Sequence, residues 1–243
     1  MRRNLPRDRS LSMEMLESRR LLTGLAQSQL FHYLLNEARH DPPAYQLASG
    51  ANADLSSVQA RQPLALHPSL VNSAQFHSTE MATHDYFDHQ SHVTGQFPNA
   101  NARSHGYDLV SWWDSDKNYI ESIAGGYPTA AAALKGLIES PGHRTHLLGI
   151  DAFYADNVDG GVVYALDSSS TYWYYWTVHL ARTDTPSTNL TGVVFNDVNN
   201  NGGYDLNEGL GNIPVQIGAN QPVTNAAGGW SLQVAPNMTR QVD

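Results

Sequence analysis

The sequence predicts an α+β fold, and three observations predict it: helical apolar spacing early in the chain, two β-branched and aromatic runs behind it, and a tail of short extended runs. At 243 residues and 41% hydrophobic content, the chain can bury one sizeable core and a second, smaller one.

The elements follow in order. From Leu25 to His40 the residues Leu30, Phe31, Leu34, Leu35 and Ala38 recur at helical spacing, and Pro42-Pro43 stops the pattern. The stretch 46–62 is polar and aperiodic. His67-Pro68-Ser69 then opens a second helix that carries Leu70, Ala74, His77 and Met81 on one face and ends near His84. Between Asp85 and Tyr127, Gly, Asn, Ser and aromatic residues predict long loops with short structured pieces. Thr129 caps a third helix, AAAALKGLIES, which Pro141-Gly142 terminates. GGVVYAL (160–166) and TYWYYWTVHLA (171–181) form an antiparallel hairpin around a turn at 167–170. A main domain over 25–182 is expected, followed by a polar linker, 183–188. Beyond it GVVF, IPVQI, QPVTN and GWSLQV predict a small β-sandwich over 189–243, and Asp243 ends the sequence before the last strands of such a unit, so an incomplete module is expected.

Charge and composition narrow the function. A formal net charge of −9 removes the attraction that nucleic acid or anionic lipid needs, so no nucleic-acid partner is expected. Without cysteine, neither a disulfide framework nor a thiolate nucleophile or thiolate metal site can form. No apolar run reaches the roughly 20 residues of a membrane-spanning helix. Residues 1–24 are basic and lack a secretory h-region. Within them, MLESRRLLTG resembles the Leu-Glu-x-Arg-x-Leu-Leu sorting motif of planctomycetal extracellular proteins, which implies an extracellular or cell-surface location.

Three segments carry the chemistry: YFDHQS around His89, YIESIAGG around Glu121, and ESPGHRTHLLG around His143. With the late aromatic strand, they make residues 25–182 resemble the CAP superfamily (SCP-like) in its cysteine-free bacterial form. The resemblance implies an α-β-α sandwich with a surface cleft, in which His89 and His143 match the two cleft histidines and Glu121 the acidic residue. Ser122 stands where the family has Asn, leaving the orientation of Glu121 less defined. Glu139 is the nearest candidate for a second acid, and Val178 replaces the strand's usual amide, losing that contact. His179 is a further cleft candidate, although adjacent strand residues face opposite sides.

Two imidazoles and a carboxylate can ligate zinc or another divalent ion, relay protons, or hold loops together by hydrogen bonding. No reaction is assigned, because the sequence has no Gly-x-Ser-x-Gly elbow and no His-Glu-x-x-His helix. A rival set, His77, Glu80 and His84, shares a helix face at i, i+3 and i+7 and reads as solvated surface. Trp112-Trp113 and the aromatics from Tyr172 to Trp176 read as core and loop packing.

In the tail, DVNNNGGYDLNE (197–208) fits a calcium loop. Asp197, Asn199, Asn201, Asp205 and Glu208 supply side-chain oxygens, Gly203 supplies a carbonyl, and Gly202 permits the bend. Its extended flanks resemble the calcium-binding B-type β-sandwich domains of serine-aspartate-repeat adhesins, which implies bound calcium. Three functions stay open: a cleft that binds a metal or an unknown extracellular ligand, a hydrolase, and an adhesive or structural surface protein.

Overall fold

The computed structural model describes residues 9–185 and 187–234. The first eight residues of the basic start and residues 235–243 of the expected C-terminal module lie outside the described residues.

Helix α1 runs Arg9–His40, so the sorting-like segment 15–24 is part of a helix. Phe31, Leu35 and Ala38 bury its core-facing stripe completely. Pro42-Pro43 ends this helix and also starts another, α2 (Pro42–Ser49), where Asp41 accepts from the Ala44 amide at 3.0 Å. Proline in a first turn costs nothing because its missing N–H would have no helical partner there. The aperiodic reading from residue 46 therefore missed the end of a short helix. The same misreading recurs at Pro141: α5 (Ala130–Glu139) ends before it, and α6 (Pro141–Leu148) begins on it.

After β1 (Ala65–Leu66), α3 spans Pro68–His84 as expected, capped by His67, whose ring accepts from the Ser69 amide at 3.2 Å. The long 85–127 region holds α4 (Pro98–Ser104) and β2 (Glu121–Gly125). The hairpin is β3 (Asp159–Leu166) and β4 (Tyr174–Ala181). Together they make a four-stranded sheet in the order β1-β3-β4-β2, antiparallel apart from the short β1–β3 pair.

Alternation along the strands sorts this sheet into two faces. Ala124, Val162, Tyr164, Trp176, Val178 and Leu180 pack against α1, α5 and α6. On the other face, Ile123 and Tyr175 meet Met81 and Ala82 of α3. Helices thus cover both faces, the α-β-α layering that the sequence resemblance implies. A Cβ on Gly161 would stand 2.3 Å from the Leu70 backbone carbon, so only glycine lets α3 lie this close to the sheet.

The tail contributes β5 (Thr188–Val193) paired antiparallel with β6 (Gly229–Val234), plus three isolated bridges. Of the expected sandwich, this pair is the only regular sheet among the described residues; IPVQI and QPVTN meet through the single bridge Pro214–Val223, and the bridge Ile217–Asn220 closes the turn between them. Proline cannot donate to a ladder. The tail also docks on the main domain. Asn189 donates to Asp159 at 2.9 Å, Asn225 donates to Gln29 at 3.1 Å, and the rings of Tyr33 and Tyr204 meet edge-on at 5.7 Å.

Candidate functional site

Glu121 opens β2, where the Asn118 side chain brackets it by accepting from its amide at 2.9 Å and donating to its carbonyl at 3.2 Å. Odd-numbered residues of β2 and β4 face α3, and Glu121 lies directly across from His179. That register answers the question the spacing left open, because His179 faces the cleft residue. His179 Nε2 stands 2.8 Å from Glu121 Oε2, His77 Nδ1 of α3 stands 2.5 Å from the same oxygen, and His89 Nδ1 stands 2.8 Å from Oε1.

One carboxylate thus holds three imidazoles. Its side chain is fully buried, as is that of His179, and His77 is nearly so, while the side chain of His89 is 39% exposed. Burial raises the Glu121 pKa, but the charge of His77 and the hydrogen bonds from the histidines outweigh it and hold the carboxyl well below its usual range. Burial likewise lowers His77, yet Glu121 and then Glu80 bring it above its ordinary value. His179 falls the other way, with burial outweighing its bond to Glu121.

His143, on the first turn of α6, is half-buried; burial and then the charge of His89 lower its pKa. It is therefore within electrostatic reach of His89, but makes no hydrogen bond to Glu121 in the described network.

Several expectations need correction. His77 and Glu80 are buried, not solvated, and only His84 of that set is exposed. The signal was present, since His77 shares the stripe of Leu70, Ala74 and Met81, and an ionisable residue in such a stripe needs a buried partner. Ser122 does not orient Glu121. It points to the opposite face and bonds His146 at 2.8 Å. Val178 belongs to the α1-side core, so its loss of an amide leaves the cleft untouched. Glu139 accepts from the Asn52 and Ala53 amides at 2.7 and 3.1 Å and serves that loop. Of the tryptophan pair, Trp113 is core while Trp112 is 62% exposed.

The ligand atoms of His77, Glu121 and His179 all lie within 4.8 Å of one another, a set that can hold a divalent ion. As they stand, the separations of 2.5 and 2.8 Å are those of shared protons; donors around tetrahedral zinc would stand about 3.4 Å apart. This set is wholly buried, and only His89, bonded to the same carboxylate, links it to solvent; imidazoles and a carboxylate so arranged can bind a borderline-soft cation or exchange protons.

In the tail loop, Asp197 accepts from the Asn201 and Gly202 amides at 3.1 and 2.9 Å, and Glu208 accepts from the Val198 and Asp205 amides at 3.0 and 2.9 Å. Asn199 and Asn201 donate to Asp205 at 2.7 and 2.6 Å. Left-handed φ values of 58° at Asn200 and 80° at Gly202 wind the segment around its own side chains.

Helices layered on both faces of a mostly antiparallel sheet, with a buried histidine–carboxylate cluster that reaches the surface at His89, define an SCP-like α-β-α protein. The chain belongs to the CAP family, the cysteine-rich secretory protein family, whose family model matches residues 32–180, and it does so without a cysteine. No curated protein matches it. Among solved structures it is similar to an extracellular protein containing an SCP domain from Bacillus anthracis, at 24% identity and a TM-score of 0.39, over 51% of this chain and 35% of that one. It is also similar to an outer surface protein from Borrelia burgdorferi, at 13% identity and a TM-score of 0.42, over 64% of this chain and 92% of that one. The chain thus spans about a third of the Bacillus protein. Among the described residues, no helix is long and apolar enough to cross a membrane.

Proposed function

We propose that this is an exported, surface-associated CAP protein whose cleft binds a divalent cation or a small ligand at His89 and His143, with Glu121 as the buried carboxylate that orients His89. The observation that carries this reading is the half-exposed His89, anchored through Nδ1 to Glu121 Oε1 at 2.8 Å. A proton on Nδ1, shared with the carboxylate, leaves the other ring nitrogen a lone pair, which is how proteins prepare a metal-ligating histidine. His143 adds a second imidazole whose lowered pKa favours the neutral, ligating form. Zinc fits this donor set, with coordination positions left for water or a ligand.

Export rests on the sorting-like MLESRRLLTG segment and on the family's secretory character. The tail loop is read as a calcium site: its carboxylates, amide oxygens and the Gly203 carbonyl fit a hard cation once the Asn199 and Asn201 amides turn their oxygens inward. That reading makes residues 189–243 a B-type module joined to a CAP domain over 25–182.

Zinc is expected to raise the thermal midpoint of the wild type by several degrees and to leave His89→Ala/His143→Ala unmoved. Equal shifts in both proteins would sink the cleft reading.

A further inference from the structure

Behind the cleft lies a second group of polar atoms that the reading above does not use. Among the buried side-chain atoms without a hydrogen-bond partner are His77 Nε2, Glu80 Oε1 and the Tyr86 hydroxyl. They belong together. His77 Nε2 and Glu80 Oε1 are 3.7 Å apart with side chains 2% and 4% exposed, and the rings of His77 and Tyr86 lie 6.3 Å apart. Glu80 lies close enough to the Tyr86 hydroxyl to share its proton, and after burial this contact raises the hydroxyl's pKa. Buried groups of this kind are nearly always satisfied in native proteins.

Each principal member is held by a partner on its far side. His77 gives Nδ1 to Glu121, which leaves Nε2 as the free nitrogen, and Glu80 Oε2 accepts from the Ser91 hydroxyl at 2.8 Å. Stacking of Tyr86 on His92, with centroids 4.0 Å apart, closes the outer side. The backbone carbonyl of Asp88 is a further acceptor beside His77, which raises its pKa as Glu121 and Glu80 do. The gap of 3.7 Å is too long for a hydrogen bond and matches two ligands about 2.1 Å from a shared ion at a wide angle. No lysine or arginine pairs with Glu80 or Glu121 among the described ion pairs. A divalent ion would take the place of the proton on His77 Nε2 and balance the two carboxyl groups in its stead.

We infer that His77 Nε2, Glu80 Oε1 and the Tyr86 hydroxyl form an interior transition-metal site, separate from the His89–His143 mouth and sharing with it only the orienting carboxylate of Glu121. The donor set of imidazole, carboxylate and phenol oxygen suits zinc or manganese better than calcium. The site is closed by its own loop, so its ion would be slow to exchange and would pin residues 85–92 to α3.

The inference deepens the cleft reading, and one experiment separates them. Full-length protein is equilibrated with Zn2+, desalted, and its retained zinc counted by native mass spectrometry. Wild type is expected to keep a slowly exchanging equivalent that His89→Ala/His143→Ala also keeps. Glu80→Gln, which retains an oxygen for Ser91, should lose it, and Tyr86→Phe should release it at least tenfold faster. Retention of that equivalent by both Glu80→Gln and Tyr86→Phe, or no zinc in the mouth double variant, overturns the interior site. Loss in Glu80→Gln while His89→Ala/His143→Ala keeps the retained equivalent upholds it, and the mouth stands or falls separately on the zinc-induced thermal shift of that double variant. Far-ultraviolet circular dichroism confirms folding, and Tyr86→Phe, which removes one oxygen, serves if Glu80→Gln does not fold.

Discussion

Glu121 is the residue on which the cleft depends, and its burial changes what a substitution there reports. Glu121→Gln exchanges one accepting oxygen for a donor in a fully buried site that receives three imidazoles. Urea denaturation should show a loss of about 3–5 kcal/mol, so lost function in that variant cannot be read as lost chemistry alone. Proton linkage gives a second expectation at this scale. Burial lowers His32 to about 4 and His146 to about 3, against about 6.5 in the unfolded chain. The unfolded state takes up these protons first, so both contributions are complete above about pH 6.5 and fade as pH drops toward those values. For His32 the full contribution is on the order of 3 kcal/mol. Glu121, depressed in the fold, adds a loss below its unfolded value near pH 4.3; His77, raised in the fold, opposes the trend. Urea midpoints should be level above about pH 6.5, fall from there to about pH 4.5, and fall less in His32→Gln; a wild-type profile flat across that lower range contradicts this account.

Among the elements, α3 and β2 build the site by lying on the same side of one sheet. Their approach depends on Gly161, where a Cβ would overlap the Leu70 backbone. Gly161→Ala should therefore lift α3 away, costing about 3 kcal/mol or more and loosening His77 from Glu121. Thermal denaturation checks the first effect and histidine ring NMR shifts the second. At the far end of α3, Asp85 adopts a left-handed φ of 51° and accepts from the Thr171 amide at 2.6 Å, tying the hairpin loop to the helix that carries His77. The three long helices and the hairpin were legible because their periodicities are long. The pieces left unplaced, α2, α4, α6 and β2, are of eight residues or fewer, and proline at three of their starts reads locally as a stop.

Across the whole molecule, the tail and the main domain meet through polar contacts and the Tyr33–Tyr204 ring pair. Tyr204 lies inside the proposed calcium loop, so calcium should stabilise more than the tail. Millimolar calcium is expected to raise the midpoint of one shared melting transition in the wild type, and Asp197→Ala/Glu208→Ala should abolish the rise. Two transitions, with calcium moving only one, would show that the units melt independently.

By itself the sequence determined the α+β class, the family, and the local patterns that single out His89, Glu121, His143 and the calcium-like loop, since each is written in residues near one another along the chain. Only the tertiary structure decided which side chains meet. Strand register turned His179 toward Glu121 and Ser122 away from it, and close packing over Gly161 drew His77 and Glu80 inward from a helix face that reads as surface. Register and helix approach are long-range properties, set by which face of a sheet is buried and by how near two backbones come. No local pattern records them.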